Sequence, residues 1–289
     1  MTLVLPLVST GNVPQLTVDL ILHSFNDDFH FIEDLDSKYL HPFVGPLDHT
    51  LTSTISEPQS QLYSNASTKK YSSALELFTN QDQSIYIIQQ RTPIIQGYLN
   101  NFIQEVIIPL ITNYKISTVS ILDSYGAFDN NIITSLNKTD NNNISNISIG
   151  NCDVNSINNI VENFDQSLNL KYDSNSTLHY TTQFFQFNKT SPIQEISTNQ
   201  SIFKITYHLL NNINIANTSS LNEINYFNVL VHEGDNSLDA KYIIKRCLPQ
   251  ILNEKYSILE DSQFKIPISW KGVYGMGEVP SSIEEGIYI

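Results

Sequence analysis

Positive charge is scarce in this chain. Its 289 residues carry 15 Lys and Arg against 29 Asp and Glu, a formal charge of −14. Phosphate backbones attract basic surfaces, so nucleic acid is a poor partner, and so is an anionic membrane. A basic or neutral protein surface fits this charge better. Cysteine is nearly missing: Cys152 and Cys247 cannot frame a disulfide scaffold. No run approaches the ~18 consecutive apolar residues that a membrane span needs. The opening MTLVLPLVSTGNVPQL lacks a basic n-region, and its short apolar run reads as a first strand rather than a leader. Cytoplasmic residence is the expectation, with the nucleus as a second compartment. Under that expectation the eight Asn-x-Ser/Thr triplets, from Asn65 to Asn217, are products of an Asn-rich composition rather than glycan sites.

Apolar residues make up 40% of the chain, enough for a sizeable core, while charged residues supply only 15%. The first apolar run, TLVLPLVST, meets Gly11 and passes into a stretch with Val13, Leu16, Leu20 and Ile21 at helical spacing. Pro14 suits a first turn, where its missing N–H is no loss. SIYIIQQ (84–90) reads as a second buried strand. Thr92 is then expected to cap a helix carrying Ile95, Leu99, Phe102, Ile103, Val106 and Leu110. STVSILDS (117–124) reads as a third strand. Strands without polar alternation, separated by helices, predict a parallel sheet covered on both faces. YFNVLVHEGDN predicts a further strand ending in an acidic turn. The helix after it has Ala240, Ile244, Cys247, Leu248 and Ile251 on one face, and Pro249 is expected to interrupt it unless the helix kinks there.

Regularity lapses between these elements. From Asn130 to Asn159, 11 residues are Asn, and no period is sustained. This predicts an Asn-rich insertion over about 130–176. The fold expected is therefore an α/β class, a three-layer α/β/α sandwich with a largely parallel central sheet. One domain would cover 1–263, and 264–289 would form a flexible C-terminal extension that includes GVYGMG.

Few residues form a chemical constellation. TGNVPQ lies between strand and helix, where a helix N-terminus could meet phosphate, but it is neither G-x-G-x-x-G nor a Walker loop. Gly11 and Asn12 read as a tight turn. His232, Glu233 and Asp235 gather at a strand end, where α/β sheets place ligand sites. The plainer reading is a turn through Glu233, Gly234, Asp235 and Asn236, with Asn236 or Ser237 capping the next helix. The seven His include no H-x-x-x-H pair, and no G-x-S-x-G elbow occurs. No catalytic residue, cofactor or metal is expected. The second possibility is an α/β enzyme of nucleoside-phosphorylase type that uses TGNVPQ for phosphate.

The last residues, Ile287, Tyr288 and Ile289, follow the pattern hydrophobic–tyrosine–any residue. Such an end has a physical logic. An aliphatic side chain can fill an apolar slot, a tyrosine adds a flat ring with a hydroxyl, and a carboxylate can be captured in a partner's groove.

Three further segments carry a resemblance. STGNVPQLTVDLIL, VHEGDNSLDA and FKIPISWKGVYGMGEVP are similar, in order and spacing, to segments of the proteasome assembly chaperone 2 family. The resemblance runs from near residue 8 to near residue 280 and lapses between about 130 and 200. It implies a non-enzymatic chaperone with an α/β sandwich fold. It also implies a heterodimer with a related sister, proteasome assembly chaperone 1, on the outer face of the 20S proteasome α ring. There the pair would promote ring assembly and keep activators off unfinished particles. Ile287, Tyr288 and Ile289 match the motif that proteasome-binding factors insert between neighbouring α subunits.

Overall fold

The strands follow the unbroken apolar runs, and successive residues of each run face opposite ways. Leu3 and Leu5 enter one hydrophobic cluster while Val4 enters the other; Tyr86 and Ile88 oppose Ile85 and Ile87 in the same manner. A strand buried on both faces needs apolar side chains at every position, which is why these segments show no polar alternation. The structure, a computed structural model, describes residues 1–50, 61–126, 146–155, 169–172, 178–182, 184–189, 191–193, 195–216, 220–232, 234–258 and 260–270.

Among the described residues, eight strands form the main sheet: β1 (Thr2–Pro6), β2 (Phe29–Asp34), β5 (Leu75–Asn80), β6 (Ile85–Gln90), β7 (Thr118–Gly126), β8 (Ile147–Asp153), β11 (Gln186–Phe187) and β13 (Glu223–Val231). Their spatial order is β11-β8-β13-β7-β1-β6-β5-β2. The four central strands β13, β7, β1 and β6 pair in parallel. On either side β8 and β5 run against them, and the edge strands β11 and β2 turn back again. Six of the eight strands therefore point the same way. The sheet is largely parallel in direction, with parallel pairing confined to its centre. Two small antiparallel sheets accompany it. One joins β3 (Val44–Pro46) to β4 (Tyr71–Ser73); the other joins β9 (Asn169–Tyr172), β10 (Leu178–Thr182) and β12 (Ile196–Ser197).

Helices cover both faces, completing the three layers. On one face α1 (Val13–Ser24) lies beside the last helix, α5 (Ser237–Ile251), over Val4, Leu122, Phe227 and Val229. On the other, α2 (Leu99–Phe102), a π-helical stretch (Ile103–Ile107) and α3 (Ile108–Asn113) pack against α4 (Ser201–Ala216) over Leu3, Leu5, Ile121 and Tyr226. The π-helical stretch immediately precedes Pro109. A proline there withholds the N–H that Glu105 O would receive, and the Ile108 N–H bonds instead to Ile103 O.

Three local expectations are corrected. Helix α2 begins at Leu99, and Thr92 caps nothing; its hydroxyl donates to His41 O at 2.6 Å and pins the approach loop. Second, the Asn-rich stretch is not one insertion. Ile147–Asp153 is strand β8, inside the main sheet, with Ile147 and Cys152 buried. The asparagines around it hide the pattern, and the strand's one asparagine, Asn151, faces outward, donating to Asn225 Oδ1 at 2.9 Å and to the Glu223 carboxylate. Third, α5 continues through Pro249 to Ile251. Residues 264–270, the start of the expected extension, place Phe264 and Trp270 in the same cluster as α1 and α5. The GVYGMG run lies outside the described residues.

Candidate functional site

Parallel strands end at one edge of the sheet, so the turns after β1 and β13 meet beside the end of β7. The Ser9 and Ser124 hydroxyls lie 2.9 Å apart. Ser124 donates its N–H to Ser9 Oγ at 3.0 Å and its hydroxyl to Thr10 O at 2.6 Å, which locks the first turn to the end of β7. Beneath them Asp123 is buried. Its carboxylate accepts the Ser124 N–H at 2.8 Å and the Tyr226 hydroxyl at 3.0 Å. Burial outweighs these bonds and pushes the Asp123 carboxyl up to about 6.

The two turns singled out in the sequence meet here. Gly11 and Asn12 both adopt the left-handed conformation, at φ 68° and 53°. Above Gly11 sits Asn236: a Cβ at Gly11 would come within 2.2 Å of Asn236 Nδ2. That same Nδ2 donates to Gly234 O at 2.9 Å and tightens its own turn. Neither Asn236 nor Ser237 caps α5 with its side chain. The Asp235 carboxylate does the equivalent work by accepting the Ser237 N–H at 2.9 Å. Glu233 lies outside the described residues, as do Ile287, Tyr288 and Ile289. The Asn236 amide thus occupies the space that a side chain at Gly11 would need. Among the described residues no group of three or more His, Cys, Asp or Glu side chains is placed to hold a metal ion.

A second polar cluster, unforeseen in the sequence, lies under α1. Asp19 is buried, and its carboxylate accepts from the Gln89 amide, from Arg91 Nη1 at 3.4 Å and from Trp270 Nε1 at 3.4 Å. Burial pushes the Asp19 carboxyl up to about 6 despite the Arg91 charge. Nearby, His23 Nε2 lies 4.0 Å from Asp48 Oδ2, and burial lowers the His23 imidazole to about 4. Asp48 accepts both the N–H of Ser269, at 3.2 Å, and its hydroxyl. The sequence signal for both clusters is a lone carboxylate in an apolar run, Asp19 in TVDLIL and Asp123 in SILDS.

Two stability measurements test this geometry. Gly11→Ala adds a clash with Asn236 to an unfavourable φ, and should cost about 2–4 kcal/mol in chemical denaturation. In an Asn236→Ala background only the backbone strain remains, so the same change should cost about 1 kcal/mol. Equal costs in both backgrounds would contradict the interlock. Asp123 titrates near 6 when folded against an ordinary 3.8. The folded chain therefore holds that proton more tightly between these values, and the site's contribution to stability falls as pH rises through the window. Asp123→Asn should raise Tm by about 4 °C at pH 7.5, and the gain should vanish near pH 4. A loss of Tm at both pH values would show that the carboxylate charge itself is required.

The PAC2 family profile matches residues 3–223. Over 284 residues the chain is 37% identical to proteasome assembly chaperone 2 of Saccharomyces cerevisiae, covering 96% of this chain and 95% of that one. The proteasome assembly chaperone 2 of Nematostella vectensis is 30% identical over 128 residues, 44% of this chain and 47% of its own. Among solved structures, PbaA of Pyrococcus furiosus, an archaeal homolog of proteasome-assembly chaperone, aligns at 13% identity. Its TM-score is 0.44, over 89% of this chain and 79% of its own. The profile match and the near full-length identity to the yeast protein together establish that this chain belongs to the PAC2 family.

Proposed function

We propose that this protein is a proteasome assembly chaperone that works by binding rather than by catalysis. The observation that carries the reading is the 37% identity, over 96% of the chain, to a yeast protein of that name. In this reading it pairs with a related sister, proteasome assembly chaperone 1. The pair docks on the outer face of the 20S α ring and promotes closure of the ring. It also occupies the surface that an activator would use. A formal charge of −14 supports a partner surface that offers lysines. Cytoplasmic residence, with the nucleus as a second compartment, belongs to the same reading.

The tail is the proposed contact. Ile287 would fill an apolar slot, and Tyr288 would add its ring and hydroxyl. The carboxylate after Ile289 would meet a cation in a pocket between neighbouring α subunits. Magnitudes show why it cannot act alone. Burying Ile287 and Tyr288 yields about 3–6 kcal/mol gross. Ordering the preceding linker takes back several tenths to over 1 kcal/mol per residue. A millimolar affinity, about −4 kcal/mol, is the ceiling for the tail by itself. The folded body or the sister must supply a second contact that raises the effective concentration of the tail. Sixteen residues, Lys271 to Gly286, separate Trp270 from Ile287. They can span at most about 55 Å, so the body must dock within that radius of the pocket.

Retention on immobilised 20S core particles tests the reading. Deleting Ile287–Ile289 should weaken retention at least about tenfold. Adding one residue after Ile289 displaces the carboxylate by about 3.5 Å and should weaken it comparably. Wild-type retention of the deleted chain would sink the tail contact; wild-type retention of the extended chain would sink the role of the carboxylate.

A further inference from the structure

The segment Phe264–Trp270 is held from several sides. The Lys265 N–H donates to Ser24 Oγ at 3.1 Å, and the Ile268 N–H donates to His49 O at 2.8 Å. Pro267 forms a bridge with Thr50. Ser269, exposed at the surface, gives its N–H and its hydroxyl to the Asp48 carboxylate, and the buried Trp270 points Nε1 at Asp19. A segment that only closed a core could rely on apolar burial, as Phe264 does. Hydrogen bonds to fixed carboxylates are directional and set an orientation as well as a depth. Both carboxylates belong to the amino-terminal part of the chain, 221 and 251 residues away from their partners.

We propose that Asp48 and Asp19 are positioning residues: by clamping Ser269 and Trp270 they fix the point and direction from which the carboxyl-terminal tail leaves the body. The inference rests on the tail contact proposed above. The advantage of a tethered ligand depends on linker length and on where the linker starts. With the root clamped, sixteen residues precede Ile287. With Phe264–Trp270 released, the free linker gains those seven residues and loses its direction. The length change alone lowers effective concentration roughly twofold, and loss of direction lowers it further, to about two- to fivefold in all.

The chain's one Trp, Trp270, reports on the clamp directly. Ser269→Ala, a mild change at an exposed position, and Asp48→Ala are each made in the full chain and in the chain lacking Ile287–Ile289. In the full chain each should shift Trp270 emission to the red and weaken binding to 20S particles by about two- to fivefold. In the tail-deleted chain the same changes should leave residual binding unchanged, and Ser269→Thr, which keeps the hydroxyl, should restore both readouts. An unshifted emission would overturn the inference. So would shifted emission with unchanged binding, or equal weakening with and without the tail, since the clamp would then serve the body. If removing Ile287–Ile289 itself has no effect on the wild-type chain, the tail contact falls and the clamp proposal falls with it.

Discussion

Parallel pairing of β1 between β6 and β7 is the constraint on which the rest of the molecule depends. Leu3 pairs with Tyr86 on one side and Val119 on the other, and each registered step carries a buried residue to each face. A slip of one residue would exchange the two hydrophobic clusters, so the register is fixed by both layers of helices at once. The same pairing brings the turns after β1 and β13 to the end of β7 at a single edge. There Gly11 accepts Asn236 against its bare Cα, and Ser9 and Ser124 hold adjacent strand ends together. At the edge where other α/β proteins place ligands, the turns described here pack against each other.

The parts legible in the sequence were those with strong local periodicity. The runs of β1, β6, β7 and β13 and the apolar faces of α1 and α5 announce themselves, because a doubly covered strand leaves no polar position to confuse the pattern. The glycine turns were legible too, since Gly11 and Gly234 occupy left-handed backbone that other residues avoid. What the sequence concealed was pairing at a distance. Strand β8 alternates buried and exposed residues only from Gly150 to Asp153, and Asn151 and its neighbours mimic a loop composition. The onset of α2 was misplaced because Thr92-Pro93 resembles a helix start, whereas Thr92 is tied to His41 across the fold. Local rules cannot foresee a partner 51 residues away.

The candidate site shows the same division. Gly11, Asn12, Gly234, Asp235 and Asn236 were found one turn at a time, and their contact with each other emerged only from the fold. Asp19, Asp48 and Arg91 carry no local motif, although a carboxylate inside TVDLIL is a conspicuous intrusion. Burying charge is expensive unless it is paired, and removing one partner leaves the other stranded. These groups tie α1 and the loop after β3 to the segment that ends at Trp270. A chaperone that releases its client needs a tail too weak to hold alone and a body that aims it. Under the proposed tail contact, the polar socket under α1 would be its fixed root.

The most direct test is an electron cryomicroscopy structure of this chain, with the proposed sister, on the 20S particle. The account predicts Tyr288 lodged between two neighbouring α subunits while Trp270 stays seated against Asp19. Tyr288 packed on its own domain, with the particle bound through the body alone, would contradict it.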